Sequence, residues 1–178
     1  MRHFGGVPPD PPDPPDPPDQ PAAAPERRAA RVVLVDPGDA VLLFSGRDPS
    51  IVDAATYWFT PGGGAEPGEA LADAGRREVE EETGHRLGEL GPVVWRRRTS
   101  FVFDGIAFAQ RESYYVVRVP RFDVRPVALT DFEARSLTGW RWWPLDELVS
   151  TPETVYPPGL GRRVAVWLDE LDRTSRRV

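Results

Sequence analysis

The chain has no cysteine, two histidines and one methionine among its 178 residues. Without cysteine there can be no disulfide, thiolate metal site or cysteine nucleophile, and two histidines argue against a multi-histidine metal cage. A resident metal would sit mainly on carboxylate oxygen, which favours magnesium or manganese over zinc. The sequence also lacks an apolar run long enough to span a bilayer, and no apolar segment follows its charged N-terminus. The expectation is a cytoplasmic protein that engages no membrane. Positive charge is in deficit as well: 28 acidic against 22 basic side chains leave a formal charge of -6. No global field then draws the surface toward nucleic acid, which is not expected as a partner. A chain of this length buries one core but is short for two ordinary domains, and a homodimer is left open.

Proline is plentiful but concentrated. Residues 8–19 read PPDPPDPPDPPD, a repeat that cannot form helix or ladder hydrogen bonds and has nothing to bury. Residues 1–26 are therefore expected to be a disordered or polyproline-like tail ahead of a domain spanning residues 27–178. From Arg31 the composition changes. Val32 to Val35, the turn-like DPGD at 36–39, and Val41 to Phe44 predict a pair of strands. Thr56 to Thr60 predicts a short aromatic strand ended by Pro61 and Gly62 to Gly64. Helical sequence follows from about Gly68 to Thr83, with Gly84 suited to the left-handed position beyond its end. Val93 to Phe103, Ser113 to Val119 and Trp140 to Trp143 read as strands, Leu145 to Val149 as a helical turn, and Gly161 to Leu171 as an amphipathic helix. The fold class expected is α/β, with a mixed, partly antiparallel sheet.

On a helix, Leu71, Ala74, Gly75 and Glu78 share one side with Glu81 and Glu82, while Glu69, Asp73, Arg76, Arg77 and Glu80 take the other. An apolar stripe thus turns acidic without changing sides. Like charges three and four positions apart repel, and these sit toward the negative end of the helix dipole. Divalent metal offsets that cost well, because carboxylates at i, i+3 and i+4 reach one or two ions and leave positions for water and phosphate oxygen. Gly62 to Gly64 add a loop that brings N–H groups close to the same region.

The segment GGAEPGEALADAGRREVEEETGH, Gly63 to His85, resembles the signature of the Nudix hydrolases. Gly63, Glu69, Arg77, Glu78, Val79, Glu81, Glu82 and Gly84 fall in register with that pattern, and His85 stands where the family prefers an aliphatic residue. A histidine ring can cover apolar surface, so packing is its expected role. The resemblance implies a Nudix-like αβα sandwich over residues from about Ala30 to Leu171. It also implies metal-dependent hydrolysis of a diphosphate in a nucleoside diphosphate linked to another group, by water attack on phosphorus. In that scheme Glu78, Glu81 and Glu82 hold Mg2+ or Mn2+, and Glu81 or Glu82 also helps to orient or deprotonate the water. Arg77 would hold a carboxylate in place, Glu69 would brace the loop, and Gly63 and Gly84 would shape the backbone.

Family members often add an acidic residue from another loop as a further metal ligand or as the general base. Glu112, before the strand at Ser113, is the first candidate and is expected to face the helix; Asp131 and Glu133 are the alternatives. Arg47, Arg96, Arg98 and Trp58 are candidates for substrate binding: the arginines for phosphate, Trp58 for stacking on a base. The arginines at 96, 97 and 98 alternate along a strand, so at most two face one substrate. Trp140, Trp142 and Trp143 are expected mainly in the core. The competing reading is a non-catalytic nucleotide-binding or protein-interaction module with the same fold. ADP-ribose, a dinucleoside polyphosphate, a nucleotide sugar and a nucleoside triphosphate all present the same diphosphate, so the substrate stays open.

Overall fold

The computed structural model describes residues 25–175, and the proline–aspartate repeat lies outside them. Strand β1 (Arg27–Val35) turns into β2 (Ala40–Gly46). The Asp36 carboxylate explains the turn: Oδ1 accepts the N–H groups of Gly38 and Ala40, each at 2.8 Å. Next come β3 (Tyr57–Phe59), helix α1 (Leu71–Thr83), β4 (Trp95–Phe103) and β5 (Ile106–Arg118). After them follow α2 (Asp131–Ser136), β6 (Leu137–Pro144), α3 (Leu145–Ser150), β7 (Val155–Tyr156) and α4 (Leu160–Ser175). Among the described residues no helix is long and apolar enough to cross a membrane.

The sheet is mixed, in the order β4-β5-β1-β2-β3-β7, with β6 also paired to β2. β1 runs parallel to β5 along its whole length but meets β2 only at Val35 opposite Val41. That leaves the N-terminal half of one β1 edge vacant, and the glycine loop fills it. Ala30 and Val32 donate to the carbonyls of Gly63 and Pro61, both at 2.9 Å, and Ala65 donates to Arg28. The loop that the sequence placed beside the helix is thus stitched into the sheet as a short extra strand.

Two apolar layers sandwich β1. On one face Val33, Val35, Tyr114 and Val116 pack with Leu160, Val164, Trp167 and Leu168 of the α4 side. On the other, Ala30, Val32 and Leu34 pack with Ala74 and Val79 of α1. Val79 is fully buried, and removing a side chain of this kind from water contributes about 1.5–3 kcal/mol. Gly84 ends α1 in the left-handed conformation, at φ 74°, with its N–H on Glu80 O. His85 lies flat on Phe122, ring centroids 4.1 Å apart, so its ring covers apolar surface as an aliphatic side chain would.

The expected strand at Ser113 is the second half of a longer element. β4 and β5 form one hairpin whose tip, Asp104 and Gly105, has two positive φ angles, 50° and 72°, the signature of a tight two-residue turn. β7 and α2 were not anticipated from the sequence.

Candidate active site

Glu78 and Glu82 lie on the sheet-facing side of α1 and are 9% and 4% exposed. Glu133, from α2, joins them: one oxygen from each of these three carboxylates lies within 4.8 Å of the others. Oxygens bound to a single divalent ion at about 2.1–2.4 Å can be up to roughly 4.2–4.8 Å apart, so this donor set fits such an ion. The local electrostatics point the same way. Burial, helped by the Glu78 charge and opposed by the Gly62 N–H at 2.8 Å, pushes the Glu82 carboxyl up to about 8. Burial also raises Glu78, against the pull of Arg77. Two buried carboxylates that resist ionisation side by side are short of positive charge.

Glu81 sits differently from the expectation. It is half exposed, lies outside the close trio and is paired with Arg77 Nη1 at 3.1 Å. The 3.6-residue period centres the buried face on Gly75, Val79 and Glu82, which leaves Glu81 at its margin. Glu80 is on the outer side, paired with Arg86. Arg77, outward by helical angle, folds back to reach Glu69 with two nitrogens at 3.0 and 3.1 Å, Glu78 at 2.9 Å and the Gly64 carbonyl at 3.1 Å. The guanidinium fork therefore ties the loop, through Glu69, to the carboxylate of Glu78. These contacts hold Glu69 below its ordinary pKa, the Arg77 hydrogen bond contributing most.

The glycines have a steric cause. A Cβ on Gly63 would lie 2.6 Å from the Glu78 carboxyl group, and one on Gly62, at φ 125°, would lie 2.1 Å from Ala30 O. The loop closes onto both β1 and the carboxylate only without side chains at these positions.

Glu112 does not face the helix. It shares a face of β5 with Tyr114 and Val116, the α4 side, because the count from Ser113 reverses each side chain. There Arg31 Nε donates to Oε1 at 3.0 Å, the Tyr114 hydroxyl donates to Oε2 at 2.8 Å, and Arg97 pairs with Oε2 at 2.9 Å. Burial raises its pKa, but the two guanidinium groups outweigh that and hold it below the usual carboxylate range. A carboxylate so engaged is a poor proton acceptor, and Glu112 stands apart from the trio instead of facing the helix as expected.

Trp58 is turned away from the trio. Its ring meets Trp143 edge-on at 5.1 Å, and its indole N–H donates to Glu153 at 2.5 Å. Neighbouring Phe59 faces the other way, against Phe44. Arg96 and Arg98 are exposed on the opposite face of β4 from Arg97, and Arg98 is ion-paired with Glu26 at 3.0 Å. Arg47 is exposed beside α2, its backbone N–H on Ser136 O at 3.0 Å. Arg31, which meets Glu112 and Gln110, and Gln110 itself were not singled out from the sequence, and Arg97 was named only within the arginine run. Two of them were hidden by strand parity, and the Asp104-Gly105 pair was the overlooked signal for the hairpin that positions Gln110. Glu133 had a local signal too: Thr130 and Glu133 form a reciprocal capping box. A separate concavity between α3, β7 and α4, lined by Leu148, Thr151, Tyr156 and Arg162, contains a single carboxylate, Glu153. It has no donor set comparable to that of the trio.

The model of the NUDIX domain matches residues 25–162. The chain belongs to the Nudix family. It is 29% identical over 145 residues to an RNA pyrophosphohydrolase of Afipia carboxidovorans, covering 75% of this chain and 84% of that one. A second RNA pyrophosphohydrolase, from Nitrobacter winogradskyi, is 29% identical over 136 residues, or 70% and 79% of the two chains. In fold the chain is similar to the MutT protein of Methanosarcina mazei, with a TM-score of 0.61 at 18% identity over 82% of this chain and 95% of that one. The αβα arrangement is therefore the Nudix one, and the protein is a Nudix pyrophosphohydrolase, an enzyme of a family that generally uses divalent metal and acts on nucleotide-type substrates.

Proposed function

We propose that this Nudix enzyme hydrolyses a diphosphate linkage in a nucleotide-type substrate by metal-dependent attack of water on phosphorus, at Glu78, Glu82 and Glu133. The observation that carries the reading is the trio itself, three carboxylates from two elements with oxygens within 4.8 Å. Mg2+ or Mn2+ suits an all-oxygen donor set. When bound there, the ion would neutralise diphosphate charge and make its water more acidic.

The chain's own residues divide the remaining work. Gly62 N–H orients the Glu82 carboxylate, and Arg77 orients Glu78 and keeps the loop shut over it. Glu133 is partly exposed and carried on a short helix, so of the three it best combines access to water with the capacity to take its proton. Arg31 donates to Gly62 O at 2.7 Å, which braces the loop residue whose N–H holds Glu82.

Product analysis tests the reading. The full chain would be incubated with magnesium or manganese and a panel of ADP-ribose, a dinucleoside polyphosphate, a nucleotide sugar, nucleoside triphosphates and an RNA bearing a 5′-triphosphate. The names of the curated relatives motivate including the RNA. Cleavage of at least one member at a diphosphate bond, abolished by chelator, is expected; turnover that chelator leaves intact would refute it.

A further inference from the structure

The last carbonyl oxygens of a helix have no partner within it, and two of those of α1 are taken by one downstream segment. Glu81 O accepts from the N–H groups of Val127 and Ala128, at 2.9 and 3.2 Å, and Thr83 O accepts from Arg125 at 2.9 Å. The approach is close enough to need a glycine, since a Cβ on Gly84 would lie 2.5 Å from Arg125 O. Residues 125–128 are thus strapped across the last turn of α1, the turn that carries Glu82. Two residues beyond Ala128 the chain reaches Thr130, the N-cap of α2. The far end of α2 is held as well: Arg135 donates to Asp104 Oδ2 at 3.2 Å, and Ser136 O accepts from the Arg47 N–H at 3.0 Å.

What these anchors present to the trio is decided at the cap. The Thr130 hydroxyl accepts from the Glu133 N–H at 3.2 Å and donates to Glu133 Oε2 at 2.8 Å, while the Thr130 backbone N–H donates to the same oxygen at 2.7 Å. Beyond the reciprocal pair of a capping box, the hydroxyl therefore adds a second donor to the carboxylate. Two donors on one oxygen fix the plane of the group, and about two of its roughly four lone-pair sites stay free for a cation. Glu78 is oriented by Arg77 and Glu82 by the Gly62 N–H. For Glu133, partly exposed on a helix of six residues, Thr130 stands in the corresponding place.

We propose that Thr130 is the positioning residue for the third metal ligand: its hydroxyl and N–H hold the Glu133 carboxylate where, with Glu78 and Glu82, it takes a divalent cation. The proposal rests on the metal-dependent reading above. It makes the cap of α2 a working part of the metal site. A carboxylate ordered only on binding gives up its side-chain freedom at that moment, whereas one already ordered by its helix cap does not. Removing a supporting partner of this kind typically lowers metal affinity about 10–100-fold. Substitution at Thr130 can remove the hydroxyl but not the backbone N–H, so the lower end of that range is expected.

Calorimetric titration of the full chain with manganese alone tests it, on wild type, Thr130→Val, Thr130→Ser, Glu133→Gln and the double variant Thr130→Val/Glu133→Gln. Valine keeps the branched shape and removes the hydroxyl; serine keeps the hydroxyl. Thr130→Val should bind manganese about tenfold more weakly than wild type. Thr130→Ser should stay within about twofold, because serine caps as well as threonine. Glu133→Gln should lose about tenfold or more. Since Thr130 acts on the ion only through Glu133, the double variant should bind no more weakly than Glu133→Gln alone, a non-additivity that general loosening of the fold would not produce. Thr130→Ala takes the place of the valine variant if that one fails to fold. A loss in Glu133→Gln with none in Thr130→Val, or losses that add in the double variant, overturns the positioning role and spares the metal reading. Binding at wild-type strength in Glu133→Gln, or a wild type that binds no manganese, overturns both.

Discussion

Replacing Glu82 by Gln should have opposite effects on stability and catalysis, and the structure sets both magnitudes. The carboxyl ionises near pH 8 in the folded protein, against an ordinary value of 4.5, chiefly because burial disfavours its charge. A folded pKa above the unfolded one means that the folded state holds the extra proton between these values, so stability falls as pH rises through that window. In chelator, the group's contribution is fully present below about pH 4.5 and gone above about pH 8, a loss of at most about 5 kcal/mol. Glutamine cannot ionise and should flatten this part of the profile. At pH 8.5 without metal the variant should therefore melt several degrees above wild type, since about 1 kcal/mol moves the midpoint of a domain this size by roughly 2–4 °C. Manganese should reverse the order by stabilising wild type more than the variant. Turnover should fall about a hundredfold or more, near 3 kcal/mol of transition-state stabilisation. The assay is thermal melting from pH 5 to 9 in chelator and in manganese, with kcat measured on the same preparations. Superimposable pH profiles for the two proteins, or an unchanged kcat at saturating metal and substrate, would refute the reasoning.

Gly63→Ala leaves every charge in place but puts a methyl group where the Glu78 carboxyl lies, 2.6 Å away; kcat should drop at least about tenfold while circular dichroism still reports a folded protein. Glu112→Ala strands two largely buried guanidinium groups, Arg31 and Arg97, 16% and 15% exposed, and should destabilise by about 3–5 kcal/mol in denaturant titration. The milder Glu112→Gln should keep the acid limb of the kcat–pH profile, which loss of a general base would remove. Deleting residues 1–24 should leave the melting temperature within about 2 °C and kcat unchanged. Extending the deletion through Glu26 removes its ion pairs to Arg98 and Arg111, which are surface contacts, so under about 1 kcal/mol should be lost.

The order of the main strands and helices, α2 and β7 apart, the acidic helix face and the cap at Gly84 were legible because each depends on local chemistry: period, turn residues and left-handed glycine. Glu78 and Glu82 fell on the sheet side for the same reason. Glu133 was named only as an alternative, because what brings α2 to α1 is tertiary packing that no local pattern records. Strand parity shows the limit most clearly. That residues 96, 97 and 98 alternate could be read from sequence, but which parity faces inward depends on register with Glu112. The same one-residue ambiguity sent Trp58 toward Trp143. The inward reach of Arg77 was readable only through the family pattern, since its long side chain crosses from the outer helix face back to Glu69.

The claim that metal held on Glu78, Glu82 and Glu133 directs water onto phosphorus is tested most directly by turnover in 18O-labelled water. A substrate from the panel would be cleaved by wild-type protein with magnesium, with magnesium replaced by chelator, and by Glu82→Gln with magnesium, the products being weighed by mass spectrometry. One 18O atom in a phosphate-bearing product of the wild-type magnesium reaction is expected, with little or no product in the other two. Equal product in chelator, or label found only on a carbon-bound hydroxyl, would contradict the account.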